Sequence, residues 1–549
     1  MTARRLLAWL AAYAVALALA SAFVHHRAAL APPASPVVIA SRWKDGALVA
    51  RAVGATDDEA AKDPAVATMP GALVLERVVA TAPVPKAPDL LSAVSFVPGR
   101  DGARVALDGK VAWITTDDLL SRQAYDKEAR VGEVTIGVDL PVLWALAAER
   151  LGVSAYEAKA RASLERVRFE RAARDASPAR PIEPDALGED AARAAMFAAA
   201  VHVARGTSED GRLRYLFEPT TNKTRDGYDW PRHAGTTYFL AYASRLGAPP
   251  EVRLAAMRAA HRMRDVALAK CGARTCAGVG DPVEIGSSAL AAIAFVEMAR
   301  AGLDLSLGAV AGALAEFLRS QQRPDGELMH WCGLDGTPID RQELFFSGEA
   351  ALALARVHAL LGRAEDLEAA RRAVAYLTGP RWSFFGDRYW YDEEHWTCQA
   401  AAELHARTQG DASLDFCVRF ARFTANLQAA PTRADLDLDG ALWLGPGVTP
   451  RLTPVASRAE AMIAVLEAAR AAPSPSRPSS DIDAIERATR RSLALLARWQ
   501  MPANAPHLLV DPAAAAGAEP ETEVAWTLRV DQSQHAGCAF GRWVERTTR

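Results

Sequence analysis

Nothing in this chain pulls it toward nucleic acid. Its 63 lysines and arginines nearly balance 66 aspartates and glutamates over 549 residues, leaving a formal charge of -3. No dense basic patch with interleaved aromatics breaks that balance. Cysteine is scarce, with six in the whole chain. No Cys-x-x-Cys pair or His-x-x-x-His spacing marks a zinc site, so neither a metal nor another cofactor is expected. The few cysteines fit an oxidising compartment without demanding disulfides. Cys271 and Cys276, in KCGARTCAG, are spaced to close a small loop across a turn, paired or free; Cys332, Cys398, Cys417 and Cys538 are scattered.

Apolar residues are plentiful, 50% of the chain against 23% charged. That suffices for a large core and for several domains at roughly 150 residues each. One apolar run is unbroken: Arg4 and Arg5 precede Leu6 to Val24, nineteen residues without a charge. At about 1.5 Å per residue it just crosses a hydrocarbon layer of ~30 Å. It reads as a membrane anchor or, because Ala20-Ser21-Ala22 suits a signal peptidase, as a cleaved signal. Either reading sends the remainder out of the cytoplasm, inner-membrane anchored and facing the periplasm or secreted. HHRAALAPPASP follows as a linker, giving a first unit of residues 1–36.

Residues 37–180 change character. Short Val-rich runs such as GALVLERVVA, ARVALDGKVAWITT and GEVTIGVDL, bounded by Gly, Pro or Asp, predict strands and turns. TTDDLLSRQAYD predicts a short helix capped by Thr116 or Asp117. A small α+β domain with a helical connector is expected here.

From 184 to 549 apolar residues recur at helical spacing. Twelve helices are predicted: 186–205, 232–246, 250–269, 286–302, 307–321, 346–361, 364–377, 393–408, 411–426, 455–471, 481–500 and 531–546. GEAALALARVHALLGRAEDLEAARRAVAYL and HWTCQAAAELHARTQGDASLDFCVRFARF share an internal pattern of helix, short joint and second helix, the mark of a helical-hairpin repeat. Six such hairpins, with RSQQRPDGEL (Arg319–Leu328) as a turn, resemble the α/α toroid folds, in which six inner helices line a cavity and six outer ones cover it. FFSGEAALAL and EEHWTCQAAAEL look most like the six-hairpin glycosidases and sugar epimerases, and the Gln322-to-Gly326 turn is similar to one in terpene cyclases and prenyltransferases. The fold class expected is therefore mainly α: an (α/α)6 toroid with a small N-terminal α+β domain and an N-terminal membrane-targeting helix. An open α-solenoid of the same hairpins is the rival.

Inner helices of a toroid pack closely at the axis and need small residues, whereas the cavity mouth holds polar ones. Four predicted helix entrances combine both: YDWPRHAGTTYFLA, DRQELFFSGEAALAL, RYWYDEEHWTCQAAAEL and LRVDQSQHAGCAFGRW. A helix-start charge favoured by the macrodipole is the ordinary reading of each acid there. Asp531 and His535, at i and i+4, share one helix side. The functional reading gathers all four entrances around one cavity that binds a sugar or polysaccharide. Glycoside hydrolysis needs two carboxyl groups, Glu349 with Glu394 or Asp531. An epimerase- or lyase-like route instead moves a proton beside a carbonyl or carboxylate, using His233, His395 or His535 as base and acid. Arg232 and Arg529 would then hold an anionic group, with Asp229, Trp230, Tyr391, Trp396, Gln534 and His535 contacting the ligand. The same toroid would also serve as a non-catalytic sugar-binding or envelope-assembly protein. An isoprenoid-handling cyclase would need an almost wholly apolar cavity, against which these charged entrances argue.

Overall fold

The computed structural model describes residues 30–84, 89–125, 137–173, 187–380, 394–408, 411–428, 438–442, 449–502 and 505–548, with Ala12, Val15, Ala16, Leu19 and Ala20. The rest of the apolar N-terminal run lies outside these residues. Among the described residues no helix is long and apolar enough to cross a membrane.

Six antiparallel strands form the first unit: β1 (Val38–Lys44), β2 (Ala47–Gly54), β3 (Ala72–Pro83), β4 (Asp101–Leu107), β5 (Lys110–Ile114) and β6 (Ser163–Ala173), in the order β2-β1-β3-β6-β4-β5. Two Asp-Gly pairs make the hairpins. Asp45-Gly46 joins β1 to β2 and Asp108-Gly109 joins β4 to β5, all four residues at positive φ, as a two-residue turn matching the strand twist requires. The short helix Thr116–Ser121 is present, but its cap is Thr115, one residue ahead of the predicted position, in a reciprocal capping box with Asp118.

The helices of the toroid alternate strictly. Outer helices are α1 (Glu189–Arg205), α3 (Pro250–Arg262), α5 (Leu307–Ser320), α7 (Ala364–Thr378), α9 (Asp411–Asn426) and α11 (Ser479–Trp499). Inner helices are α2 (Trp230–Arg245), α4 (Ile285–Arg300), α6 (Phe346–Leu361), α8 (Glu394–Thr408), α10 (Leu452–Ala471) and α12 (Val530–Thr548). Each inner helix packs on the next, and α12 packs back on α2, closing the ring. The open solenoid is thereby excluded.

Composition follows position. In α4 every residue from Ile285 to Ala299 is buried, as expected of a helix surrounded on all sides. In the outer α11 burial is one-sided through the first half, at Ile482, Ile485, Ala488 and Thr489, and becomes continuous only from Ser492 to Leu496. Glycines permit the closest approaches: a Cβ at Gly537 of α12 would lie 2.1 Å from the Phe239 ring of α2, and one at Gly541 would lie 2.6 Å from Tyr242.

The chain between α11 and α12 turns back onto the sheet. Met501, Leu508, Leu509, Val524 and Trp526 share a core with Ile114, Leu119, Tyr125 and Trp144, and His507 Nε2 meets buried Asp117 Oδ2 at 2.7 Å. Leu528–Arg529 then pairs with Leu216–Phe217, tying the start of α12 beside the start of α2. Cys271 and Cys276 are disulfide-bonded, Cα atoms 5.9 Å apart. A second disulfide, Cys398–Cys417, staples α8 to α9.

Because Phe239 is fully buried and has nowhere to go, Gly537→Ala is expected to destabilise the protein by about 1–3 kcal/mol. Chemical denaturation of the variant beside the parent checks this; unchanged stability would mean that α2 and α12 are further apart than described.

Candidate active site

All six inner helices begin at the same end of the ring, and their entrances enclose a cavity of about 300 Å³. Asp229 caps α2, accepting a hydrogen bond from Arg232 N at 3.1 Å, while its other oxygen accepts from Arg232 Nη1 at 2.6 Å. Arg232 Nε also donates to Asp531 Oδ2 of α12 at 3.2 Å. Asp531 is clamped from the other side by Arg529, whose Nε and Nη2 donate to its two oxygens at 2.5 and 2.9 Å. Burial alone would raise the Asp531 carboxyl, but Arg529 and then Arg232 outweigh it and hold the group well below the usual carboxylate range. Asp531 is ionised.

Glu349 is its opposite. It sits in the first turn of α6, 5% exposed, and its Oε2 has no hydrogen-bond partner. Burial, then the nearby Glu284 and Asp229 charges, push its carboxyl well above the ordinary range against the pull of Arg232. Gly286 of α4 makes the space, since a Cβ there would stand 2.9 Å from Glu349 Oε2. Glu284, the residue ahead of α4, is also raised by burial, with Asp229 and Glu343 adding to it. One cavity thus holds a neutral and an ionised carboxyl, a separation of roles set wholly by surroundings.

Two histidines complete the wall. His535 of α12 places Nδ1 2.7 Å from Glu460 Oε1 of α10, and Glu460 is fully buried. With the carboxylate accepting from Nδ1–H, the free lone pair lies on Nε2. His395 of α8 stands edge-to-face with His535, ring centroids 5.6 Å apart. It is 4% exposed and neither ring nitrogen has a partner. Burial, Arg458 and His535 all drive its pKa well below that of a free histidine, so it is neutral. The Trp396 ring lies 4.8 Å from it.

The cavity therefore brings together Asp229, Arg232, Glu349, His395, Trp396, Arg529, Asp531, Gln534 and His535 of the residues expected from the sequence. Two expectations need correction. His233 does not face the cavity: it is fully buried, its Nε2–H donates to the Ala259 carbonyl at 2.9 Å, and its Nδ1 accepts from Tyr228 Oη at 2.6 Å. Both nitrogens are committed and burial lowers its pKa to about 4, so it acts as packing between α2 and α3. Trp230 is not part of the cavity wall either, packing against Tyr228 and His233 at 5.5 and 5.2 Å. Tyr391 and the side chain of Glu394 lie outside the described residues.

Glu284, Phe345, Arg451, Arg458 and, behind His535, Glu460 were not anticipated. DPVEIGSSALA carries the same acid-then-small-residue pattern as the four recognised entrances, the signal by which Glu284 could have been found. Glu460 gives no sequence signal, because its partner lies 75 positions away. Among the described residues no three His, Cys, Asp or Glu side chains gather as a metal-binding group.

No family model and no curated protein matches this chain. Solved structures with a similar arrangement include a sugar epimerase from a ruminal bacterium, 11% identical, covering 65% of this chain and 98% of its own, with a TM-score of 0.48. An unsaturated glucuronyl hydrolase specific for heparin is 12% identical over 66% of this chain and 99% of its own, with a TM-score of 0.45. An α-1,6-mannanase of Salegentibacter is 12% identical over 65% of this chain and 98% of its own, with a TM-score of 0.47. All three are six-hairpin glycosidase-like enzymes.

Proposed function

We propose that the cavity is the acid–base site of a carbohydrate-active enzyme that moves a proton beside a carbonyl or carboxylate, in an epimerase- or lyase-like reaction. The observation that carries this is His535, backed by Glu460, lining the same cavity as an uncharged Glu349. His535 Nε2 takes the proton from carbon, and Glu460 holds the ring in the accepting tautomer and offsets the imidazolium that forms. Glu349 donates to the oxygen on which charge builds. The imidazolium of His535 then returns the proton, to carbon in an epimerisation or to the leaving oxygen in an elimination, while the neutral His395 lines the same cavity. Arg232 and Arg529 hold negative charge on the ligand; Asp531, Asp229 and Tyr215 accept from their other nitrogens, and none of the described residues accepts from Arg529 Nη1 or Arg232 Nη2.

Glycoside hydrolysis is the second reading, favoured by the neutral Glu349 and ionised Asp531. Against it, both Asp531 oxygens already accept from arginines, which makes the group a poor base or nucleophile. Two disulfides and the apolar N-terminal run support an extracytoplasmic, membrane-targeted protein.

Reducing disaccharides and uronate-terminated oligosaccharides incubated in D₂O should yield products carrying carbon-bound deuterium, or unsaturated products. His535→Ala should lower kcat by about 10²-fold or more. Hydrolysis without exchange at carbon would replace this reading with the second, and binding without turnover would leave a sugar-binding protein.

Glu349 also links activity to stability. A carboxyl raised on folding contributes fully below its unfolded pKa and loses that contribution as pH rises through its folded pKa. Glu349→Gln should therefore be more stable than the parent in mildly alkaline buffer and no more stable near pH 4, while losing about 10²-fold or more in kcat. Thermal melts at the two pH values check the sign, and an identical difference at both would remove the case for a neutral Glu349.

A further inference from the structure

The opposite mouth of the ring, where the inner helices end, encloses a second cavity of about 480 Å³. Its floor is made by a buried arginine, Arg356, and a part-buried one, Arg542, that share one carboxylate oxygen. Arg356 of α6 donates Nε and Nη2 to Glu403 Oε1 at 3.0 and 2.9 Å. Arg542 of α12 brings Nη2 to 3.9 Å from that same atom while donating to Gln399 Oε1 at 2.5 Å. Nearer the rim, Glu297 is shared by Arg245 at 2.5 Å and Arg300 at 3.7 Å. Glu545 accepts from Arg245 at 2.8 Å and from Tyr242 Oη at 2.7 Å.

Each of these carboxylates is thus divided between two donor groups, and donors remain over. Arg356 Nη1 and Arg542 Nε are buried with no acceptor in the protein, although Arg356 is only 4% exposed. Arginines at helix C-termini are ordinary where the last carbonyls and water satisfy them. Arg356 and Arg542 sit more than a turn inside their helices, whose carbonyls there are engaged in the helix. Two unpartnered donors on neighbouring guanidinium groups are matched by an oxyanion, whose several oxygens can accept from both.

We propose that this second mouth is an anion-binding site, separate from the candidate active site, that takes a small ligand bearing a carboxylate or phosphate group. Arg356 and Arg542 receive the oxyanion on the cavity floor. The exposed Arg300 and Arg407 flank its entry. The site does not depend on the chemistry assigned to the other mouth.

Calorimetric titration of the full chain with inorganic phosphate, and separately with malonate, at fixed ionic strength tests this. Saturable binding of at least one is expected, and which of the two binds identifies the oxyanion. Arg300→Ala/Arg407→Ala, altering only exposed side chains, should weaken it at least tenfold, as should Arg356→Gln if that variant folds. Arg529→Gln, at the other mouth, should leave it in place. The proposal is overturned if neither anion binds saturably, if the double variant binds as the parent does, or if Arg529→Gln abolishes binding.

Discussion

Six helices can surround one axis only if the sides they turn toward each other are narrow. Gly235, Gly286, Gly348, Gly537 and Gly541 meet that demand, each at a place where a Cβ would come within 3 Å of a neighbouring inner helix or of a side chain it carries. Closing the ring this way points all six inner helices in one direction, with their N-termini at one mouth and their C-termini at the other. Aligned helix dipoles then sort charge between the two ends. Asp229, Glu284, Glu349 and Asp531 stand at or beside N-termini, whereas Arg245, Arg300 and Arg407 stand in last turns. A packing constraint at the axis is thus the origin of both polar cavities.

Within the first cavity the same residue type is driven to opposite states. Asp531 is surrounded by guanidinium groups and stays charged; Glu349, beside other carboxyls and buried without a partner, stays neutral. His395 and Glu349 both forgo hydrogen bonds that a purely structural residue would make. Such unmet polar groups cost stability, and their presence beside an ionised Asp531 sets this mouth apart from an ordinary set of helix caps.

The sheet unit is more than an appendage to the ring. It shares its core with the chain that leads into Arg529 and Asp531, and Leu528–Arg529 is held in register against Leu216–Phe217. The arginine clamp on Asp531 is therefore positioned by contacts that begin in the sheet.

Local pattern was enough for much of this. Helical spacing of apolar residues marked the twelve helices of the ring, most directly the outer ones, where burial on one side repeats with the helix turn. Val-rich runs bounded by Gly, Pro or Asp marked the strands and turns of the sheet unit, because β-branched residues favour extended backbone and few residues accept the positive φ of a tight turn. The small-residue runs behind polar entrances marked four of the six inner helices, and with them Arg232, Glu349, His395 and Asp531. What depends on rotation about a helix or on distant partners was not legible. Arg232 and His233 are neighbours in sequence, yet about 100° of helical turn sends one to the cavity and the other toward α3. Cys398 meets Cys417 only because of how α8 and α9 are rotated within their hairpin, and His535 meets Glu460 only because helices 75 positions apart are packed side by side. The sequence by itself determined which segments are helices and which ends are polar, since those follow from local propensity and burial. Only the tertiary structure decided which polar groups face one another and which carboxyl keeps its proton, since charge state depends on neighbours that the closed ring alone brings together.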